Sequence, residues 1–203
     1  MARAGDVIEN PVIGDRVVFL QTAAETDGEL LEFDLFARAG AQGPPEHVHP
    51  TSAERFEVLR GTLRARVAGV ERDICAGEAL DLPAGTLHTW WNAGADEVHV
   101  RVQLRPAGRM ETFLETIYAL ASTGRTNAKG VPSFLQLSVF APAYFDTNHI
   151  VQPPLGVQRA IFGIVGPFAR MMGYTPDQSY PYPAPPSSGA GMPPATSPPR
   201  PSS

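Results

Sequence analysis

Apolar and polar residues alternate through much of the first half of the chain. Leu31, Phe33 and Leu35 alternate with Glu32 and Asp34, the period-two pattern of a strand with one buried face. The same pattern sets Leu63, Ala65 and Val67 against Arg64 and Arg66. It recurs with Val98, Val100, Val102 and Leu104 opposite His99, Arg101, Gln103 and Arg105. VVFLQ, near residue 19, is another branched and aromatic run bounded by turn residues. Gly61, Gly69, Gly77 and Gly85 recur at turn-like spacing. Many short strands with no helix between them predict a mainly β, antiparallel barrel or sandwich over residues 1–106.

The period changes after Pro106. Met110, Phe113, Leu114, Ile117 and Leu120 or Ala121 fall at helical spacing, with Gly124 placed to end the helix. VPSFLQLSVFAPAYF predicts a second helix, bent at Pro142. LGVQRAIFGIVGPFARMMGY predicts a third, apolar over much of its circumference. These helices make residues 107–174 an extension that covers the barrel or a partner subunit, and a homodimer is expected. From Thr175 to Ser203 the chain is rich in Pro, Ser, Ala and Gly, a composition that predicts a disordered tail.

Composition narrows the function. The 203 residues are 43% hydrophobic and 18% charged, with a net charge of −5, as in a globular domain with a real core. Basic residues are scattered, so no nucleic-acid surface is expected. One cysteine, Cys75, excludes an internal disulfide and a multi-cysteine zinc site; it reads as an inert strand thiol. The start of the chain lacks the apolar core of a signal peptide, and a cytoplasmic location is expected. The apolar run Ala160–Ala169 is too short to span a bilayer, so no membrane partner is expected.

Chemistry concentrates in GPPEHVHPTSAERFEVLRG, Gly43–Gly61. His47 and His49 are two apart, so on a strand they face one way. Glu54 is five beyond His49 and would face the other way on a continuous strand. Pro50 ends the first strand, and a turn through Thr51 and Ser52 resets the parity. His88, in GEALDLPAGTLHTWWN, adds a third imidazole. Three imidazoles and one carboxylate suit a divalent first-row metal, and four protein ligands leave two octahedral positions open. Glu46, Asp81, Asn92 or nearby carbonyls are available to hold the outer ring nitrogens. Phe56 shares a face with Glu54 and Trp90 with His88; these rings line a substrate pocket or simply fill the barrel. His99 reads as a packing residue and His149 as a loop residue. Asn127 and Lys129, in TNAKG, either close over the pocket or cap a turn.

The two stretches read G-x3-H-x-H-x4-E-x6-G from Gly43 and G-x5-P-x-G-x2-H-x3-N from Gly77. Together they resemble the two motifs of the cupin superfamily. The family usually has five residues between its first Gly and first His; here three residues separate Gly43 from His47 and six separate Gly40 from it, so the departure touches only the preceding turn. The resemblance covers about residues 40–105. It implies a double-stranded β-helix (jelly roll) that binds one divalent transition metal, Fe, Mn, Ni, Cu or Zn, through His47, His49, Glu54 and His88. The complete ligand set, its open coordination and the aromatic pocket predict a metal-dependent, dioxygenase-type enzyme acting on a small organic or aromatic substrate, and the resemblance makes Glu54 available as a catalytic base. A redox-neutral isomerase or cyclase and a non-enzymatic small-molecule binder are the alternatives.

Overall fold

The computed structural model describes residues 2–182. Ten of its strands precede the first helix: β1 Val7–Asn10, β2 Asp15–Gln21, β3 Leu31–Ala37, β4 His47–Val48, β5 Ala53–Arg60, β6 Thr62–Val67, β7 Val70–Cys75, β8 Ala79–Leu82, β9 His88–Asn92 and β10 Val98–Arg105. Then come α1 Met110–Ser122, α2 Phe134–Ala143, β11 His149–Ile150 and α3 Leu155–Met171. The strands form two antiparallel sheets, ordered β1-β2-β3-β10-β5-β8 and β11-β4-β9-β6-β7, in a jelly-roll arrangement. The mainly β prediction and the three helices agree with this architecture.

The alternating strands bury the faces their patterns predict. Along β10, Val98, Val100, Val102 and Leu104 are buried, and β10 pairs with β3 on one side and β5 on the other. Removing these branched side chains from water is the main favourable contribution to the sandwich, at roughly 25 cal/mol per Å² of apolar surface. On the outer face Asp34 accepts from Arg101 at 3.0 and 3.2 Å. His99 stacks on Phe36 with ring centroids 4.2 Å apart, so it is a packing residue, as its alternation with Arg101 predicts. Cys75 is exposed at the end of β7.

The helices stack outward from the barrel. Met110 and Tyr118 of α1 join the barrel core. Phe113 of α1 meets Phe140 of α2, centroids 5.1 Å apart. Phe162 of α3 then meets Phe134 and Phe145 at 6.2 and 6.4 Å. Gly124 ends α1 at φ +70°, and the next amide, Arg125 N–H, donates to Leu120 O at 2.8 Å, so the residue expected to stop the helix does so. Asn127 Oδ1 accepts from the amides of Lys129 and Val131 at 2.9 and 3.1 Å; it caps its own turn. Among the described residues no helix is long and apolar enough to cross a membrane.

Part of the expected disordered tail is seated. Asp177, Gln178, Tyr180 and Tyr182 all bond to the body of the protein. Two tyrosines and an aspartate interrupt the Pro-rich composition and provide the apolar area and polar anchors that the composition as a whole lacks. Residues 183–203 lie outside the described residues.

Candidate metal centre

His47 opens β4 and pairs directly with His88, which opens β9. Both belong to the five-stranded sheet. His49 lies one residue past the end of β4, and Pro50–Ser52 separate it from β5. Glu54 is the second residue of β5, in the six-stranded sheet. The turn expected at Pro50 therefore carries the chain from one sheet to the other, and the four side chains meet between the sheets. Gly85 fastens the two motifs together: at φ +78° its amide donates to His49 O at 2.8 Å.

All four residues are buried, and their ligand atoms lie within 4.8 Å of one another. Glu54 Oε2 is 2.9 Å from His88 Nε2 and 3.4 Å from His49 Nε2. Two ligands at right angles on a metal with bonds of ~2.1 Å stand about 3 Å apart, so these separations are of the right size.

The outer ring nitrogens explain the direction of the inner ones. His47 Nδ1 is 2.9 Å from Pro45 O, His88 Nδ1 is 2.9 Å from Thr86 O, and His49 Nδ1 is 2.9 Å from Thr147 O. A carbonyl only accepts, so each Nδ1 carries the proton and each Nε2 presents a lone pair to the centre. His49 Nε2, His88 Nε2 and Glu54 Oε2 are buried without an aligned hydrogen bond among the described residues. A cation between them would satisfy lone pairs that converge on a buried carboxylate, and the donor set fits a divalent metal.

The electrostatics of the four groups are coupled. Burial, with His88 and His49 nearby, pulls His47 down to about 3, so its ring is neutral. Burial also opposes charge on His49, but the adjacent Glu54 carboxylate outweighs it and moves His49 upward. Burial alone would raise Glu54; His49 and His88 reverse that and hold it well below the usual carboxylate range. The carboxylate therefore stays ionised as a ligand requires.

Of the acceptors considered from sequence, the backbone carbonyls are the ones found, and the three side chains are engaged elsewhere or hold no ring. Asn92 Nδ2 donates to Ala37 O, Arg38 O and Asp96 O, stapling a turn. Asp81 pairs with Arg55 at 2.7 Å on the surface, and Glu46 holds none of the rings. The true acceptors are backbone carbonyls. His149 is not in a loop: β11 pairs with β4, setting Ile150 against His47 and His149 against Val48. Phe56 is buried with its ring 6.3 Å from that of His88. Trp90 is buried in the barrel core, and a Cβ at Gly43 would stand 2.7 Å from its indole. Only glycine fits there, which is why Gly43 precedes the first histidine.

Residues 37–103 match the Cupin_2 family, described as a cupin domain. The chain carries a cupin domain over these residues. Over 124 residues this cupin is 28% identical to the protein named "Probable oxidoreductase virH" of Hypocrea virens, spanning 58% of this chain and 55% of that protein. Over 55 residues it is 44% identical to "Oxidoreductase iacF" of Pestalotiopsis fici, spanning 27% of each. The cupin thus spans about half, or less, of the length of these curated relatives. Solved structures it resembles include KdgF from a Halomonas species, at 20% identity and TM-score 0.41 over 45% of this chain and 80% of that one. Another is an RmlC-like cupin from Shewanella frigidimarina, at 21% identity and TM-score 0.43 over 51% and 86%.

Proposed function

We propose that this cupin is a mononuclear metal-dependent oxidoreductase of the dioxygenase type, acting on a small organic, aromatic substrate. The carrying observation is the set of three Nε2 lone pairs and one carboxylate within 4.8 Å of one another in a buried site. The oxidoreductase names of the two curated relatives support the reaction class. His47, His49, Glu54 and His88 would hold the ion, and a first-row divalent metal bound there would supply redox or Lewis-acid chemistry. The carbonyls of Pro45, Thr147 and Thr86 keep the three rings aimed. Glu54 stays ionised and also accepts a proton from the substrate. Phe56 and Trp90 give the substrate an apolar wall and exclude water. In a bond-cleaving dioxygenation both atoms of O2 enter the substrate, which supplies all the electrons, so this reaction needs no further reductant.

Oxygen uptake tests this reading. Protein reconstituted separately with iron(II), manganese, nickel or copper is offered a panel of phenols and flavonols. Metal-dependent uptake that disappears in His49→Ala, together with loss of most bound metal in that variant, is the expected result. Turnover without uptake would assign the redox-neutral class instead, and full metal content in His49→Ala would remove the site assignment. A homodimer assembled through α3 belongs to the same proposal.

A further inference from the structure

The three histidines are not held in the same way. His47 and His88 each bond a carbonyl two residues back, Pro45 O and Thr86 O, so the barrel sets their orientation locally. His49 bonds Thr147 O, 98 positions away in the helical extension. Its aim depends on whatever fixes Thr147.

Thr147 lies in the short segment between α2 and β11. Its amide and that of Asn148 both donate to Tyr144 O, at 2.9 and 2.8 Å. Thr51 Oγ1 donates to Asp146 O at 3.0 Å, and β11 pairs with β4 beside His47. Tyr144 is fully buried. Its hydroxyl donates to Asp177 Oδ1 at 2.6 Å, and Arg109 lies 4.6 Å from its ring centroid. Arg109 also donates to Asp177 at 2.9 Å and to Ala143 O at 2.8 Å. Three distant parts of the chain thus meet on Tyr144: the exit of the barrel, the end of α2 and the segment after α3.

We propose that Tyr144, clamped by Arg109 and Asp177, is a positioning residue for the metal centre. It acts through the Thr147 carbonyl on the orientation and tautomer of His49. The inference rests on the metal-binding reading above. It assigns the C-terminal extension a task within the site, since the acceptor that His49 Nδ1 uses, Thr147 O, lies in that extension.

Cobalt(II) titration of the full-length protein, followed by its visible absorption and by equilibrium dialysis, tests this. Tyr144→Phe keeps the ring and removes the hydroxyl with its bonds to Asp177 and Thr116. Tyr182→Phe is the control: it removes a similar tail bond, Tyr182 to Glu115 at 2.9 Å, off the path to His49. Losing a partner that orients a metal-bound histidine costs about 10–100-fold in affinity. Tyr144→Phe, one bond further out, is expected to weaken cobalt binding ~10-fold and alter the cobalt spectrum, while Tyr182→Phe stays within twofold of wild type. Wild-type affinity in Tyr144→Phe, or equal losses in both variants, overturns the positioning role and leaves the metal reading intact. A wild-type protein that binds no cobalt overturns the metal reading itself.

Discussion

Asp15 sits at the start of β2 with its Oδ1 buried and without a hydrogen-bond partner among the described residues. Burial drives its carboxyl up from 3.8 to about 7, against the pull of Arg38. The folded state therefore keeps this proton up to about pH 7, while the unfolded chain releases it near 3.8. Between those values the folded state binds more protons, so stability from this group falls as pH rises. At ~1.36 kcal/mol per pH unit of separation, the loss above pH 7 is at most ~4 kcal/mol. Asp15→Asn removes the titration. Urea unfolding should show the variant level with wild type near pH 4 and more stable by ~1–4 kcal/mol at pH 8. A variant less stable than wild type at pH 8 would mean that the Asp15 charge is favourable in the fold.

Elements made of side-chain pattern were legible in the sequence; elements made by backbone contacts across long separations were not. The parity break between His49 and Glu54, with Pro50 between them, is a local signal, and it located the passage from β4 to β5 that closes the metal centre. The hold of Thr147 O on His49 leaves no such trace, because any residue provides a carbonyl. The two-residue β11 is likewise too short to show a period. The seating of residues 177–182 was hidden for a different reason. The tail's bulk composition is that of a disordered chain, yet Tyr180 and Tyr182, with Asp177 and Gln178, anchor it on β1 and α1: Glu9 N–H donates to Tyr180 Oη at 3.0 Å, and Gln178 N–H to Thr116 Oγ1 at 3.1 Å. Truncation after Pro176 removes these anchors and uncovers the buried Glu115. If they contribute ~2 kcal/mol together, the melting temperature falls by roughly 4–8 °C for a domain of this size. An unchanged melting temperature would show that the contacts of residues 177–182 contribute nothing net.

For the whole molecule, the decisive surface is the outer face of α3. Its inner face packs closely on α2: a Cβ at Gly166 would stand 2.9 Å from Ser138 O, and Ala169 is fully buried. The opposite face carries Val157, Ile161, Ile164, Phe168 and Met171, all exposed, with Ile164 at 80% and Met171 at 86%. Their steps of four, three, four and three are the repeat that lets two helices pair along one seam. The neighbours Ala160, Val165 and Met172 carry no charge that would select a different partner. An uncharged seam of this kind is self-complementary, so in the homodimer proposed above a second copy related by a twofold axis would cover it on both chains at once. Ile164→Glu places a charge at the middle of the seam. Because that side chain is exposed in a single copy, the substitution should leave the monomer fold and its melting curve at low concentration nearly unchanged. Light scattering should then give a dimeric mass for wild type and a monomeric mass for Ile164→Glu at the same tens-of-micromolar concentration. A monomeric wild type, or a variant that stays dimeric, would show that α3 is not the surface through which this cupin associates.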